Sequence, residues 1–321
     1  MKDEGDFIDK TATVNHLGNA SLICSRRRSQ PTRLRKEELF ALIKDAQHQV
    51  THKIDSLQGG IPTFFDNFIL GLVAIFRALA EECGSSPNQQ SEDELWDAMN
   101  MIREYIELNT RPRFVPFEQR AEDSRKRRRF PWELQRFQIA GLQGIYDCLR
   151  WRGIPVFKSV FDFAIYPMML WEIRPGSIVE LGSGGGGSAV WLCDLLKLLE
   201  LRGRVVSVDI RKPSIEFEGV DFLKGDCNRI ESVLHFEFLD QLSHPWIVIE
   251  DAHVNTAGVL RYIRRFLQKG DYVIVEDSEN KTSVLTELMR EFGSEFLVDT
   301  KYTDFFGRNA TCSKDSVFVR A

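Results

Sequence analysis

The sequence predicts an α/β chain whose second half is a doubly wound, mostly parallel, Rossmann-like sheet and whose first half is a helical N-terminal region. Three observations carry this. From Trp151 onward, short β-rich runs alternate with helical stretches, the pattern of strands joined by crossover helices. Runs such as Ile247-Val248-Ile249 are continuously apolar, as in strands covered on both faces. Before Trp151, apolar residues recur three or four apart, as in Leu39, Leu42, Ile43 and Ala46, which is helical spacing.

Taken in order, residues 1–35 carry Arg26-Arg27-Arg28 among Ser, Pro and Gln and read as a mobile tail. Residues 36–150 read as a helical lid or oligomerisation region. It holds a buried helix over 64–80, a polar loop over 84–90, and a helix opened by the capping pair Ser91 and Glu94. Pro112 and Pro116 end that helix. The basic run Arg125-Lys126-Arg127-Arg128-Arg129 reads as an exposed loop, and Pro131 opens a helix over 132–150. Residues 151–321 form the catalytic domain. Its strands are expected at 177–181, 204–209, 220–223, 246–250, 272–276, 296–298 and 316–319. Its helices are expected at 188–201, 230–242, 257–267 and 283–292.

Composition narrows the class. With 42 Lys and Arg against 47 Asp and Glu, the net charge is −5, which speaks against a whole-chain nucleic-acid binder. The six cysteines are scattered without a CxxC pair, so neither a zinc site nor a disulfide framework is expected. That usage suits a reduced, cytoplasmic chain. The longest apolar run, 68–76, is nine residues, far short of the ~20 that span a membrane.

The strongest local signal is Ser177-Ile-Val-Glu-Leu-Gly-Ser-Gly-Gly-Gly-Gly-Ser188. A strand runs into a tight glycine turn and then a helix, whose free N–H groups suit a ligand at close range. Gly182, Gly184 and Gly187 satisfy G-x-G-x-x-G, which would equally serve a nicotinamide cofactor. Glu180, two residues before the first glycine, repels a pyrophosphate and suits a cationic ligand such as S-adenosylmethionine. Asp209 ends the next strand and is placed for ribose hydroxyls. Asp226 ends the third strand, beside the adenine. Glu180, Gly182, Gly184, Ser188, Asp209 and Asp226 are the candidate cofactor residues.

Two further strands end in acids. Trp246-Ile-Val-Ile-Glu-Asp-Ala-His253 and Tyr272-Val-Ile-Val-Glu-Asp-Ser278 bring Asp251, Glu276 and Asp277 to one edge. Three carboxylates together repel unless a cation intervenes, and oxygen ligands suit Mg²⁺. His253 is the candidate general base for a metal-held hydroxyl. Adjacent Glu276 and Asp277 can share an ion only if the strand has already turned.

These motifs in order, with Trp151-Arg-Gly-Ile-Pro-Val-Phe-Lys158 and Asp162 before them and Phe306-Gly-Arg-Asn-Ala-Thr311 after, resemble the cephalosporin hydroxylase / rhamnosyl O-methyltransferase family. The order is also similar to the metal-dependent sugar O-methyltransferases of macrolide pathways. The resemblance covers roughly 151–321. It implies a class I methyltransferase fold, S-adenosylmethionine, Mg²⁺ and a homo-oligomer. It also implies a small hydroxylated acceptor from specialised metabolism, such as a polyketide, a polyketide–peptide or a glycosylated antibiotic. By matching, Glu180, Gly182 and Gly184 would surround the methionine part, Asp209 the ribose, and Asp251, Glu276 and Asp277 the metal. The family pattern is Asp-x-x-His, whereas here it is Asp251-x-His253, and a gapless alignment puts Val254 at the usual histidine. Two other readings stand beside it: a nicotinamide-dependent oxidoreductase, and a non-catalytic partner of an oxygenase.

Overall fold

The computed structural model describes residues 111–120, 142–144 and 147–321, with scattered positions between 41 and 106. The tail expected over 1–35 and the basic run 125–129 lie outside the described residues. The chain divides into two compact units, one of residues 1–111 and 129–131, the other of 112–128 and 132–321. In the first, Ile69 and Ile102 are helical and fully buried.

The second unit is built on an eight-stranded sheet. Its strands are β1 (Phe114–Val115), β4 (Ser177–Leu181), β5 (Arg204–Asp209), β6 (Val220–Lys224), β7 (Trp246–Glu250), β8 (Tyr272–Val275), β9 (Phe296–Asp299) and β10 (Val317–Arg320). The order across the sheet is β1-β9-β10-β8-β7-β4-β5-β6. Strands β6, β5, β4, β7 and β8 are parallel, while β10 runs antiparallel between β8 and β9. This is the doubly wound α/β sheet that the sequence predicts. A separate hairpin, β2 (Arg150–Trp151) with β3 (Ile154–Pro155), stands outside it.

The periodicity of the strands sends alternate residues to two cores. Val179, Leu181, Val206, Val208 and Val248 face one side. There they meet α3 (Ile230–Val233), α4 (Phe236–Leu239), α5 (Thr256–Ile263) and α6 (Thr282–Phe292). Ile178, Val205, Ile247, Ile249 and Ile274 face the other, against α1 (Val160–Ile173) and α2 (Gly187–Leu198). A short α7 (Thr300–Thr303) follows β9.

Three expectations are corrected. The helix over 230–242 is broken into α3 and α4, because His235 is extended and its imidazole accepts a hydrogen bond from the Phe238 N–H at 3.3 Å, capping α4. The helix expected over 132–150 does not include Arg150, which begins β2, and residues 132–141 of that expectation lie outside the described residues. The domain boundary drawn at 151 leaves out β1, whose register pairs Phe114 with Asp299 and Val115 with Val298. Two residues between prolines are too short to show a strand period. Among the described residues, no helix is long and apolar enough to cross a membrane.

Candidate active site

The chain order of strands reverses between β4 and β7, and ligands of open α/β sheets bind outside the carboxyl ends at such a point. A cavity of about 410 Å³ opens there. Gly182, Gly184, Asp209 and Asp226 line one part of it, and Asp251, His253, Glu276 and Asp277 another. Exposed Phe157, Ile210 and Val254 stand at its rim.

The glycine turn follows from packing. Gly182 has φ +105°, and a Cβ there would lie 2.6 Å from the Asp251 carbonyl oxygen. The ends of β4 and β7 can approach this closely only without a side chain. Gly184 has φ +51° with nothing within 4 Å of a notional Cβ, so its backbone is open to a ligand. Its N–H donates to Asp209 Oδ2 at 3.0 Å, and the Arg211 N–H donates to Asp209 Oδ1 at 2.9 Å. Asp226 accepts from the Asn228 N–H at 2.9 Å and caps the turn of Cys227–Arg229.

Glu180 and Ser188 do not line the cavity. Both are buried beneath the turn. The Ser207 hydroxyl donates to Glu180 Oε2 at 2.5 Å, and Glu180 Oε1 has no protein partner. Burial pushes the Glu180 carboxyl up, opposed by the Lys158 ammonium and by the Ser188 and Ser207 hydroxyls. The Glu180 Oε1 left without a partner under the glycine turn is an acceptor that a hydrogen-bond donor could satisfy.

The acids divide into two groups. Backbone φ is positive at His253 (+58°) and at Asp277 (+47°), so the chain turns sharply after β7 and β8. His253 Nε2 stands 3.5 Å from Asp251 Oδ1 and 3.6 Å from Asp277 Oδ2. The ligand atoms of Asp251, His253 and Asp277 all lie within 4.8 Å of one another, close enough to hold one ion. Glu276, expected with them, turns inward. Its Oε1 accepts from the Tyr166 hydroxyl at 2.5 Å and its Oε2 pairs with Lys158 Nζ. Lys158 Nζ also donates to Asp251 Oδ2 at 2.9 Å.

The charges follow from this packing. Burial works against the Lys158 ammonium, but Asp251 and Glu276 hold its pKa well above the ordinary value. Burial works against Asp251 too, and Lys158 holds it below the usual carboxylate range. Burial pushes Glu276 well up.

Lys158 is positioned by its neighbours. Ser159 caps α1, and Ser159 and Asp162 form a reciprocal capping box, which stabilises a helix start by about 1 kcal/mol. The Thr311 hydroxyl donates to Asp162 Oδ1 at 2.7 Å. Before it, the hairpin is clamped to α2: Trp151 Nε1 donates to Asp194 at 2.7 Å. Trp151 therefore does not line the cavity, and Tyr166 reaches it only through Glu276. Sequence reasoning did not single out Phe157, Gln143 or Cys227, which also line the cavity. Phe157 had a signal in its place beside Lys158. The other two depend on tertiary placement.

Comparison with known proteins bears on residues 143–295, which match the model of the family described as rhamnosyl O-methyltransferase/CmcI. A rhamnosyl O-methyltransferase of Mycobacterium leprae (strain TN) is 27% identical over 146 residues, 42% of this chain and 62% of that protein. The match thus spans less than two thirds of that relative's length. An apo structure of CmcI is 28% identical, covering 66% of this chain and 87% of that one, with a TM-score of 0.49. A CmcI structure with Mg-SAM is 29% identical over the same shares, also at 0.49. Residues 143–295, which carry the glycine turn and the acid cluster, thus resemble the rhamnosyl O-methyltransferase/CmcI family.

Proposed function

We propose that the chain is a Mg²⁺-dependent S-adenosylmethionine O-methyltransferase acting on a hydroxyl of a small specialised metabolite, as a polyketide, a polyketide–peptide or a glycosylated antibiotic carries. One observation carries the reading. The glycine turn with Asp209 and Asp226, and the cluster of Asp251, His253 and Asp277, open into the same cavity. A cofactor site and a cation site sharing one space suit transfer between two bound reactants. The chain's similarity to rhamnosyl O-methyltransferases supports the reading.

The residues fit both groups. The Asp251 and Asp277 carboxylates, grouped with the His253 imidazole within 4.8 Å, offer oxygen ligands that suit Mg²⁺ and leave His253 free to act as a base. When bound, that ion would lower the pKa of an acceptor hydroxyl. Asp251 and Asp277 would hold it. The turn at Gly182 and Gly184 would lie against the methionine part with Glu180 buried beneath it, the Asp209 carboxylate would hold the ribose, and Asp226 would lie near the adenine. His253 Nε2 is set to take the hydroxyl proton. The apolar rim of Phe157 and Val254 would shield the reacting oxygen from water.

The test is calorimetric titration of S-adenosylmethionine into the full chain, with Mg²⁺ and again with EDTA, with NAD as control. Micromolar S-adenosylmethionine binding without NAD binding is expected. Methyl transfer to a hydroxylated acceptor should be lost in EDTA. Tight NAD binding alone would overturn the reading in favour of an oxidoreductase.

A further inference from the structure

Lys158 is the one buried cation that touches the acid cluster among the described residues. It is 2% exposed, yet it sits on no strand of the sheet. Its ammonium reaches Asp251 Oδ2 and Glu276 Oε2, two strand-end acids from different strands. Asp251 thereby keeps Oδ1 turned toward His253, while both Glu276 oxygens are engaged, by Lys158 and Tyr166. Three carboxylates converging without a cation would repel one another. A buried ammonium needs carboxylate partners in turn.

We propose that Lys158 is the resident counter-cation of the cluster: a positioning residue that holds Asp251 and Glu276 together before any divalent ion arrives, and that weakens the grip on that ion when it does. This rests on reading Asp251 and Asp277 as the ligands of a divalent cation. The ammonium and the ion would share Asp251, so like charges would stand a few ångströms apart. Coulomb repulsion at that range, even screened as strongly as in bulk water, is worth more than an order of magnitude in affinity. The site is thus preformed without metal, at the expense of metal affinity.

The experiment is titration of Mg²⁺ into the full-length wild type, K158M, K158Q and K158R, with thermal unfolding in EDTA and in Mg²⁺. K158M and K158Q are expected to bind Mg²⁺ roughly tenfold more tightly or better. Their Tm should fall in EDTA and recover in Mg²⁺ by a larger step than in wild type. K158R keeps the charge and should bind as wild type does. A variant folded only when Mg²⁺ is present also supports the proposal, since the ion then replaces the ammonium. Wild-type binding that K158M and K158Q leave unchanged or weaken overturns the role of Lys158 alone, as does failure of both to fold in saturating Mg²⁺. No Mg²⁺ binding by any form overturns the metal reading, and this proposal with it.

Discussion

Replacing Gly182 by alanine tests whether the close approach of β4 and β7 is what shapes the site. The new methyl would sit 2.6 Å from the Asp251 oxygen and 2.7 Å from its carbonyl carbon, where ordinary contact begins at 3.4 Å. Backbone cannot swing aside as a side-chain tip can, so overpacking of about 1–3 kcal/mol is expected. The φ of +105° adds about 1–2 kcal/mol for a residue with a Cβ. Together that is about 2–5 kcal/mol, a large part of a typical domain's stability. At about 2–4 °C per kcal/mol for a unit of this size, Tm should fall by roughly 4–20 °C. G184A is the control. Its φ of +51° brings the same kind of backbone penalty, but its methyl meets nothing within 4 Å, so its loss should be about 1–2 kcal/mol. Thermal unfolding of the two variants side by side is the assay. Equal losses of Tm would refute the steric argument, because only the contact with Asp251 separates them.

Asp209→Ala removes the acceptor for the Gly184 and Arg211 amides and should weaken S-adenosylmethionine binding by roughly ten- to a hundredfold, read by calorimetry; unchanged affinity would remove Asp209 from the site. Arg120→Met strips the buried cation from Asp304 and Asp315; the stranded carboxylates should cost about 3–5 kcal/mol, read by denaturant unfolding, and a loss below about 1 kcal/mol would contradict that. Glu172 and Glu295 are each held down to about 2 from an ordinary 4.5, Glu172 against its own burial by Lys301, Tyr302 and Arg113, Glu295 by Arg264 and Arg320. Because their folded pKa values lie below the unfolded one, their contribution is complete above about pH 4.5 and fades as pH falls toward 2. E295Q should flatten that acid limb of stability against pH, and an unaltered slope would show that the pairs add nothing.

Strands β4, β5 and β7 were legible to the residue, because burial on both faces leaves continuous apolar runs bounded by turns. The antiparallel β10 could be found as a strand but not oriented, since pairing direction leaves no mark on a single apolar run. The break between α3 and α4 was hidden because a histidine ring served as the cap where Ser, Thr, Asp or Asn usually stands. At the site, strand ends alone predicted that Asp251, Glu276 and Asp277 would meet with His253 beside them, and Asp251, Asp277 and His253 do meet. The inward turn of Glu276 could not, because it is decided by Lys158, 118 positions away in the chain. The warning was present in the adjacency of Glu276 and Asp277, which a strand must send to opposite sides. Glu180 shows a subtler difference: its place at the strand end was readable, but its depth beneath the turn depends on Ser207 from the neighbouring strand.

The hairpin of β2 and β3 links the helix behind the glycine turn to the segment that carries Lys158. The Pro155 carbonyl lies against Gly187 so closely that a Cβ there would stand 2.1 Å from it, and three residues later the same segment delivers Lys158 to the acids. It is therefore a lever with its fulcrum on α2. Any ligand that shifts the first turn of that helix works on the acid cluster through a few rigid bonds, and any ion that shifts the acids works back. Two ligands joined in this way would alter each other's affinity by one common factor.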